Sequence, residues 1–203
     1  MEIYDRQSTL NISPPKSVAV IGVGGVGAWV AFDLALTGVE KLIMIDSDIV
    51  KNHNLNRTPF RVDQIGTPKV LAVAELIAER RPQCTVIPIA KPVETLSEYE
   101  VGLLRDAVII DCRDTSGPLP HSLKSEIVGG YDGFSTTLHV NPSPDSVWGD
   151  GETTYTVTPS WLVPPQIIAS LITMYICCKN YYMFDKEIIK TLDIRDLINI
   201  IMR

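Results

Sequence analysis

The sequence predicts an α/β domain with a doubly wound, mainly parallel sheet and antiparallel strands added in its C-terminal part. Three observations lead there. Short apolar runs such as Ser17–Ile21 alternate with stretches of helical periodicity. A glycine cluster, Gly22-Val-Gly24-Gly25-Val-Gly27, joins the first run to the first helix. Beyond residue 115 the alternation gives way to a loop-rich stretch holding two strand-like runs, Phe134–Val140 and Thr153–Val157.

Element by element, Ser17–Ile21 reads as a buried parallel strand, and the glycines open a helix over Val26–Thr37 that Gly38 stops. Lys41–Ile45 is the second strand and ends on Asp46. Strand, glycine loop, helix and strand within about 30 residues form the Rossmann-like unit. Asp48–Gly66 is polar and aperiodic. Thr67 and Pro68 read as cap and first-turn residue of a helix whose apolar face includes Val70, Val73, Ala74, Ile77 and Ala78, ended by Pro82. Thr85–Ile89 is a third strand, Glu94–Leu104 a helix and Ala107–Asp111 a fourth strand. Gly117–Pro120 and Gly129-Gly130 punctuate the stretch before Phe134–Val140. Pro164-Pro165 introduces an apolar helix, and Asp185 caps a final helix bearing Ile188, Ile189, Leu192, Leu197 and Ile201.

The 203 residues suit one domain, with an N-terminal half to residue 115 facing a nucleotide and a C-terminal half, 116–203, for substrate loops and dimerisation. A net charge of −6 argues against non-specific nucleic-acid binding. The opening Met1–Gln7 is polar, and the longest apolar stretch, Ile167–Cys178, has 12 residues where a membrane span needs about 20. The expectation is a cytoplasmic protein without a membrane partner. Cys84, Cys112, Cys177 and Cys178 form no Cys-x-x-Cys pair, so no zinc is expected, and all four read as small core residues.

The chemistry gathers on the glycine loop and the strand ends. Gly22 permits a tight turn, Gly24 and Gly25 let a phosphate approach the backbone, and Gly27 lets the helix pack on the sheet. The helix N-terminus then offers amide donors to an anion. Asp46 stands where an acid accepts hydrogen bonds from ribose hydroxyls; Asp48 either joins it or caps the following turn. Arg57 can fork onto phosphate oxygens, with Asn54 as a ribose or phosphate contact. Lys69 falls in the first turn of a helix, where the macrodipole disfavours a cation, so it is expected to face an anion. Asp111 and Asp114 follow the fourth strand, where a carboxylate can hold Mg²⁺; Arg113 either anchors an anionic substrate or pairs with one of them. The glycines and Asp46 also suit a nicotinamide-dependent oxidoreductase, but that reading leaves Arg57, Lys69 and Asp114 unexplained. A non-catalytic partner subunit would have no use for phosphate and metal ligands.

Asp5-Arg6-Gln7, Gly22–Gly27, Asp46-x-Asp48, Asn54-x-x-Arg57, Lys69 and Asp111-x-x-Asp114 resemble, in order and spacing, the adenylation core of the ThiF/MoeB-like, ubiquitin-activating-enzyme-like superfamily. The resemblance implies ATP and magnesium, adenylylation of a carboxylate to an acyl-adenylate, and release of pyrophosphate. By position it implies that Asp46 binds ribose, that Asn54, Arg57 and Lys69 contact ribose or phosphates, and that Asp114 holds magnesium. Arg6 would reach the phosphates of the neighbouring subunit, which requires a homodimer.

The chain departs from the family in three respects. It lacks the zinc-binding cysteine pairs, has no cysteine between residues 113 and 176 to form a thioester, and carries Thr58 where Gln often follows the Arg. Handing on the acyl group would then fall to a separate acyl-transfer enzyme. The compact, cysteine-poor layout further resembles the HcgE-type guanylylpyridinol adenylyltransferases of iron-hydrogenase cofactor biosynthesis, implying a small-molecule carboxylate; a ubiquitin-like protein C-terminus is the alternative. Substrate contacts are expected from residues 115–161, with His121, Gly129-Gly130-Tyr131, Phe134, His139, Trp148 and Trp161 as candidates, the aromatics either stacking on a planar ring or covering the sheet edge or a dimer interface.

Overall fold

A computed structural model of the chain describes residues 3–114, 118–143, 159–179 and 186–202. The strand-like run Thr153–Val157, the cap at Asp185 and Trp148 lie outside the described residues. Seven strands form one sheet: β1 (Ser17–Ile21), β2 (Lys41–Ile45), β3 (Thr85–Ile89), β4 (Val108–Asp111), β5 (Ile127–Asp132), β6 (Ser135–Val140) and β7 (Ile188–Asp193), in the order β3-β2-β1-β4-β5-β6-β7. The first five run parallel; β6 and β7 add antiparallel to their neighbours.

The central strands are apolar throughout because both faces are covered. Val18, Val20, Leu42, Met44 and Ile110 pack toward α1 (Gly27–Thr37), α2 (Lys69–Arg80) and α4 (Val163–Cys177). Ala19, Ile21, Ile43, Ile45 and Ile109 face the opposite way, into a second core with Val93, Leu96, Leu104 and Leu119 beside α3 (Glu98–Leu103). Gly38 ends α1 in the left-handed region at φ 116° and donates its amide to Leu34 and Ala35. None of the described helices is long and apolar enough to cross a membrane.

Several boundaries differ from the sequence reading. The α2 helix begins at Lys69 with Pro68 ahead of it and no side-chain cap, because the Thr67 carbonyl instead accepts the Val50 amide and Ile49 bridges to Pro68. Its buried face includes Ala72, whereas Ala78 is exposed. The expected helix over Glu94–Leu104 is two pieces, a 3₁₀ turn at Val93–Thr95 and a short α3. Extended Leu96 separates them, and a Ser97/Glu100 capping box starts α3.

The larger corrections fall beyond residue 115. Gly129-Gly130 does not punctuate a loop: it lies inside β5. There a Cβ on Gly129 would come within 2.4 Å of the Ile172 side chain of α4, so the glycine admits that helix. The final helix is also shorter than read. Ile188, Ile189 and Leu192 belong to β7, paired with β6 from Val140↔Ile188 to Ser135↔Asp193, and only Leu197 and Ile201 lie on α5 (Ile194–Ile201). Apolar residues spaced one and three apart fit either element, and a free edge on β6 decides for the strand.

Candidate functional site

Ligands of an open parallel sheet bind beyond the carboxyl ends of its strands. At that edge β1 runs into the glycine loop. Gly22 has φ +84°, and a Cβ there would stand 2.8 Å from the Cys112 carbonyl carbon; on Gly27 a Cβ would stand 1.8 Å from the Gly22 oxygen. These two glycines are therefore demanded by chain packing. At Gly24 a Cβ would meet nothing within 4 Å, so the backbone there faces open space. At Gly25 the bare face is covered by Tyr131, whose hydroxyl would lie 2.7 Å from a Cβ. Of the loop's amides, Gly22 donates to Ile45 O and Val23 to Asp46, while Ala28 makes the first helical bond, to Gly24 O. The amides between them carry no backbone partner among the described residues, as expected at a helix start.

Asp46, just past β2, is half-buried and organises this edge. Its Oδ2 accepts the Val23 amide at 2.6 Å and its Oδ1 the Asp48 amide at 2.7 Å. Asp48 in turn accepts Lys69 Nζ at 2.7 Å on Oδ2, and its carbonyl accepts the Lys69 amide. The Lys69 side chain is only 9% exposed, against 57% for Asp48. The hydrogen bond from Lys69 outweighs the opposing desolvation and, with the charges of Lys69, Lys51 and His53, holds the Asp48 carboxyl below the ordinary carboxylate value. One hydrogen-bonded chain thus runs from the glycine loop through both acids to α2. The anion that Lys69 meets in this structure is Asp48.

The other predicted residues are placed separately. Asn54 is buried; its Oδ1 accepts the Lys51 amide at 2.8 Å and closes its own turn. The Arg57 guanidinium donates to His53 O and to Asn56 Oδ1, and the Arg57 carbonyl accepts Trp29 Nε1 at 2.9 Å, which ties the loop to α1. Asp111 is buried and occupied by Arg113, which grips it from both Nε and Nη2 (3.0 and 2.9 Å). That removes Asp111 as a metal ligand and fixes Arg113 as its partner. Asp114 is exposed at the same sheet edge, three residues past β4. Among the described residues no group of three His, Cys, Asp or Glu could hold a metal by itself.

Arg6 is exposed and lies at the other end of the domain. Gln7 Nε2 donates to Thr37 O at the C-terminus of α1, and Arg81 Nε donates to the Tyr4 hydroxyl, so the segment is anchored about 16 Å (the length of α1) from the glycine loop. His139 is buried against Glu187 at 2.7 Å, and exposed His121 is bonded through Nε2 to Val93 O.

Three features escaped the sequence reading. The role of Tyr131 against Gly25 is a tertiary contact with no local signal. Asn56 bridges Arg57 and Ser160 O (3.2 Å) across the two halves, again a long-range contact. Asp33 does have a signal, being the lone acid in the apolar helix GAWVAFDLALT. It lines a groove of about 490 Å³ between α1 and α4 with Trp29, Gln166, Ile167, Ser170, Leu171 and Met174, and burial raises its carboxyl to about 6.

Comparison with known proteins accords with this geometry. Residues 4–117 match the ThiF family, more than half of the chain. The chain is 35% identical over 98 residues to the SAMP-activating enzyme E1 of Haloferax volcanii, a stretch covering 48% of this chain and 36% of that protein. It is 40% identical over 105 residues to the tRNA threonylcarbamoyladenosine dehydratase of Bacillus subtilis, covering 49% and 40%. Over 126 residues it is 44% identical to the ubiquitin-like modifier-activating enzyme 5 of Drosophila willistoni, covering 62% and 29%. The chain therefore spans well under half the length of these relatives. Among solved structures, PaaA superposes with a TM-score of 0.66 at 21% identity, covering 88% of this chain and 64% of that one. Escherichia coli MccB, crystallised with MccA-N7isoASN, gives 0.62 at 18%, with coverage of 88% and 64%. These two likenesses concern the fold, and they extend past residue 117 into the antiparallel half. With the glycine loop, both acids, Lys69 and Arg57 all inside the matched segment, the chain belongs to the ThiF family.

Proposed function

We propose that this domain binds Mg-ATP and adenylylates a substrate carboxylate, releasing pyrophosphate and forming no covalent cysteine intermediate. The observation that carries the reading is the hydrogen-bonded chain Val23–Asp46–Asp48–Lys69 beside the open backbone at Gly24. It couples a phosphate-sized opening to a buried cation. Each Asp46 oxygen is used once by an amide and keeps a lone pair for a ribose hydroxyl. Lys69 has three donors and uses one on Asp48, leaving two for phosphate oxygens. Arg57 and Asn54 supply further donors on the neighbouring loop.

The residues fit magnesium in the form in which it accompanies ATP. An ion that keeps several waters and takes phosphate oxygens needs only one or two protein carboxylates, and exposed Asp114 offers one at the right edge. Bound there, the ion would neutralise charge on the phosphates. The rest is alignment: a carboxylate oxygen of the substrate attacks the α-phosphorus, the bond to the bridging oxygen breaks, and pyrophosphate leaves. Three of the four thiols are kept in their protonated, poorly nucleophilic form. Burial and the adjacent Asp111 push the Cys112 thiol far up, burial and Cys178 push Cys177 to about 12, and burial raises Cys84.

Arg6 stands too far from its own glycine loop to serve it, which supports its acting on the phosphates of a second copy in a homodimer. The substrate is a small-molecule carboxylate, with guanylylpyridinol the type first to be tried, and a separate enzyme takes the activated acyl group. The peptide alternative follows from the relatives named as activating enzymes of ubiquitin-like modifiers. The test is carboxylate-dependent exchange of labelled pyrophosphate into ATP, run beside calorimetric titration with Mg-ATP and with NAD⁺. Mg-ATP binding that Lys69→Ala weakens, together with exchange, is the expected result; binding of NAD⁺ alone would replace this reading with an oxidoreductase.

A further inference from the structure

Two large aromatic side chains stand exposed at the ligand edge of the sheet. Phe134, at the β5–β6 turn, is 45% exposed and Trp161, just before α4, is 39% exposed. Their rings meet edge to face, with centroids 5.6 Å apart and planes at 67°. Both are fixed in place. Trp161 Nε1 donates to Gly133 O at 3.1 Å, the Gly133 amide donates to Pro159 O at 3.0 Å, and the Arg195 guanidinium sits 4.8 Å from the Phe134 ring centroid. Arg195 is itself held by the Asp193 carboxylate, so it stiffens the ring rather than offering an anion site. Gly133, Phe134, Pro159 and Trp161 line a shallow, open cleft of about 230 Å³ whose lining is wholly apolar.

The topology ties this cleft to the nucleotide edge. Strand β5 runs parallel to β4, and β4 to β1, so the end of β5 lies on the same side of the sheet as the glycine loop. Tyr131 covers Gly25, and Phe134 follows three residues later, no more than about 10 Å of chain away. A second link comes through Asn56, whose Oδ1 accepts from Arg57 and whose Nδ2 donates to Ser160 O, next to Trp161. Both arms of the nucleotide site therefore converge on the aromatic pair.

We propose that the Phe134–Trp161 cleft docks the planar aromatic ring of the carboxylic acid that this domain activates, a deepening that rests on the adenylylation reading. An open apolar surface made of an edge-to-face ring pair rewards a flat ring laid against it over an aliphatic one, because ring pairing adds about 0.5–1.5 kcal/mol beyond area burial. An extended peptide, which would gain affinity by adding to an open strand edge, is the competing occupant, because β5 pairs with β4 only at Ile127 and Val128.

The experiment titrates the full chain with benzoate, nicotinate, indole-3-carboxylate, cyclohexanecarboxylate and glycylglycine, by saturation-transfer NMR in the absence of ATP. The proteins are wild type, Phe134→Leu, Trp161→Leu, the conservative Trp161→Phe, and Lys69→Ala. Circular dichroism confirms each fold, and pyrophosphate exchange is recorded with the same acids. The expected result is binding of the flat-ring acids about three- to tenfold tighter than cyclohexanecarboxylate, as the ring-pairing energy allows. That preference should be lost in both Leu variants, kept in Trp161→Phe, and unchanged in Lys69→Ala. Flat-ring binding indifferent to both Leu variants, absence of flat-ring binding, or a preference for glycylglycine overturns the cleft. Ring binding in the expected pattern with neither Mg-ATP binding nor exchange would keep the cleft and overturn the adenylylation reading instead.

Discussion

Residues 17–111 and residues 118–202 build one sheet by different means. In the first region the strands cross over through helices, are buried on both faces, and deliver their polar groups onto main chain: Asp46 onto Val23 and Asp48, Asp111 onto Arg113. In the second the strands meander, and the side chains that reach the ligand edge are rings, Tyr131, Phe134 and Trp161. The difference separates two tasks. On the proposed reading, a phosphate group, the same for every nucleotide, would meet fixed backbone and a locked cation, whereas an organic acid would be selected by shape on an open aromatic surface.

The largest expected effect breaks the packing of the first region. Gly27→Ala places a methyl carbon 1.8 Å from the Gly22 oxygen, and backbone cannot yield there, so a loss of more than about 3 kcal/mol in chemical denaturation is expected. Gly129→Ala is the matched change in the second region. Its 2.4 Å contact is with the end of the Ile172 side chain, which can rotate, and about 1–2 kcal/mol is expected. Gly24→Ala should leave stability within about 0.5 kcal/mol, since no atom stands within 4 Å, and weaken Mg-ATP at least about tenfold. Equal costs at residues 27 and 129 would remove the contrast between the two regions.

Next in size are the charged groups. Lys69→Ala and Asp114→Ala should each lower Mg-dependent pyrophosphate exchange by about a hundredfold or more, with thermal melting little changed for exposed Asp114. Retained turnover in Asp114→Ala removes it as the magnesium ligand. Arg6→Ala and Arg57→Ala, each inactive alone, should regain up to about a quarter of wild-type activity when mixed, the share expected if half the dimers are mixed and carry one intact site. No rescue in verified mixed dimers places Arg6 outside the site.

The contrast also explains what could be read from the sequence. In the first region, strand runs, the glycine loop and the order of charged residues are local patterns, and β1 through β4, Asp46, Lys69 and the open face at Gly24 lie where they lead. The failures have physical causes. Gly129-Gly130 reads as a turn because glycine usually marks one, and only the approach of Ile172 explains it inside a strand. Ile188 to Leu192 suits a helix until the unpaired edge of β6 is known. The contact of Tyr131 with the face of Gly25, more than a hundred residues apart, has no local pattern either. Contacts between the two regions, Asn56 with Ser160 among them, carry no periodicity at all.

The smallest effect sharpens the comparison at its seam, the groove between α1 of the first region and α4 of the second. Asp33 faces Trp29, Gln166, Ile167, Ser170, Leu171 and Met174 there, and burial raises its carboxyl from 3.8 to about 6. Below about pH 3 both folded and unfolded chains hold the proton and the residue contributes nothing to the pH dependence. As pH climbs toward 6 the unfolded chain ionises while the folded one resists, so stability falls, and above 6 the penalty is complete. Asp33→Asn should therefore raise stability by about 1–2 kcal/mol at pH 8, allowing for solvent reaching the groove, and by nothing below about pH 3. Urea denaturation of both proteins across that range measures the difference. A gain that is the same at every pH would mean that packing, not the buried charge, is what the substitution relieves.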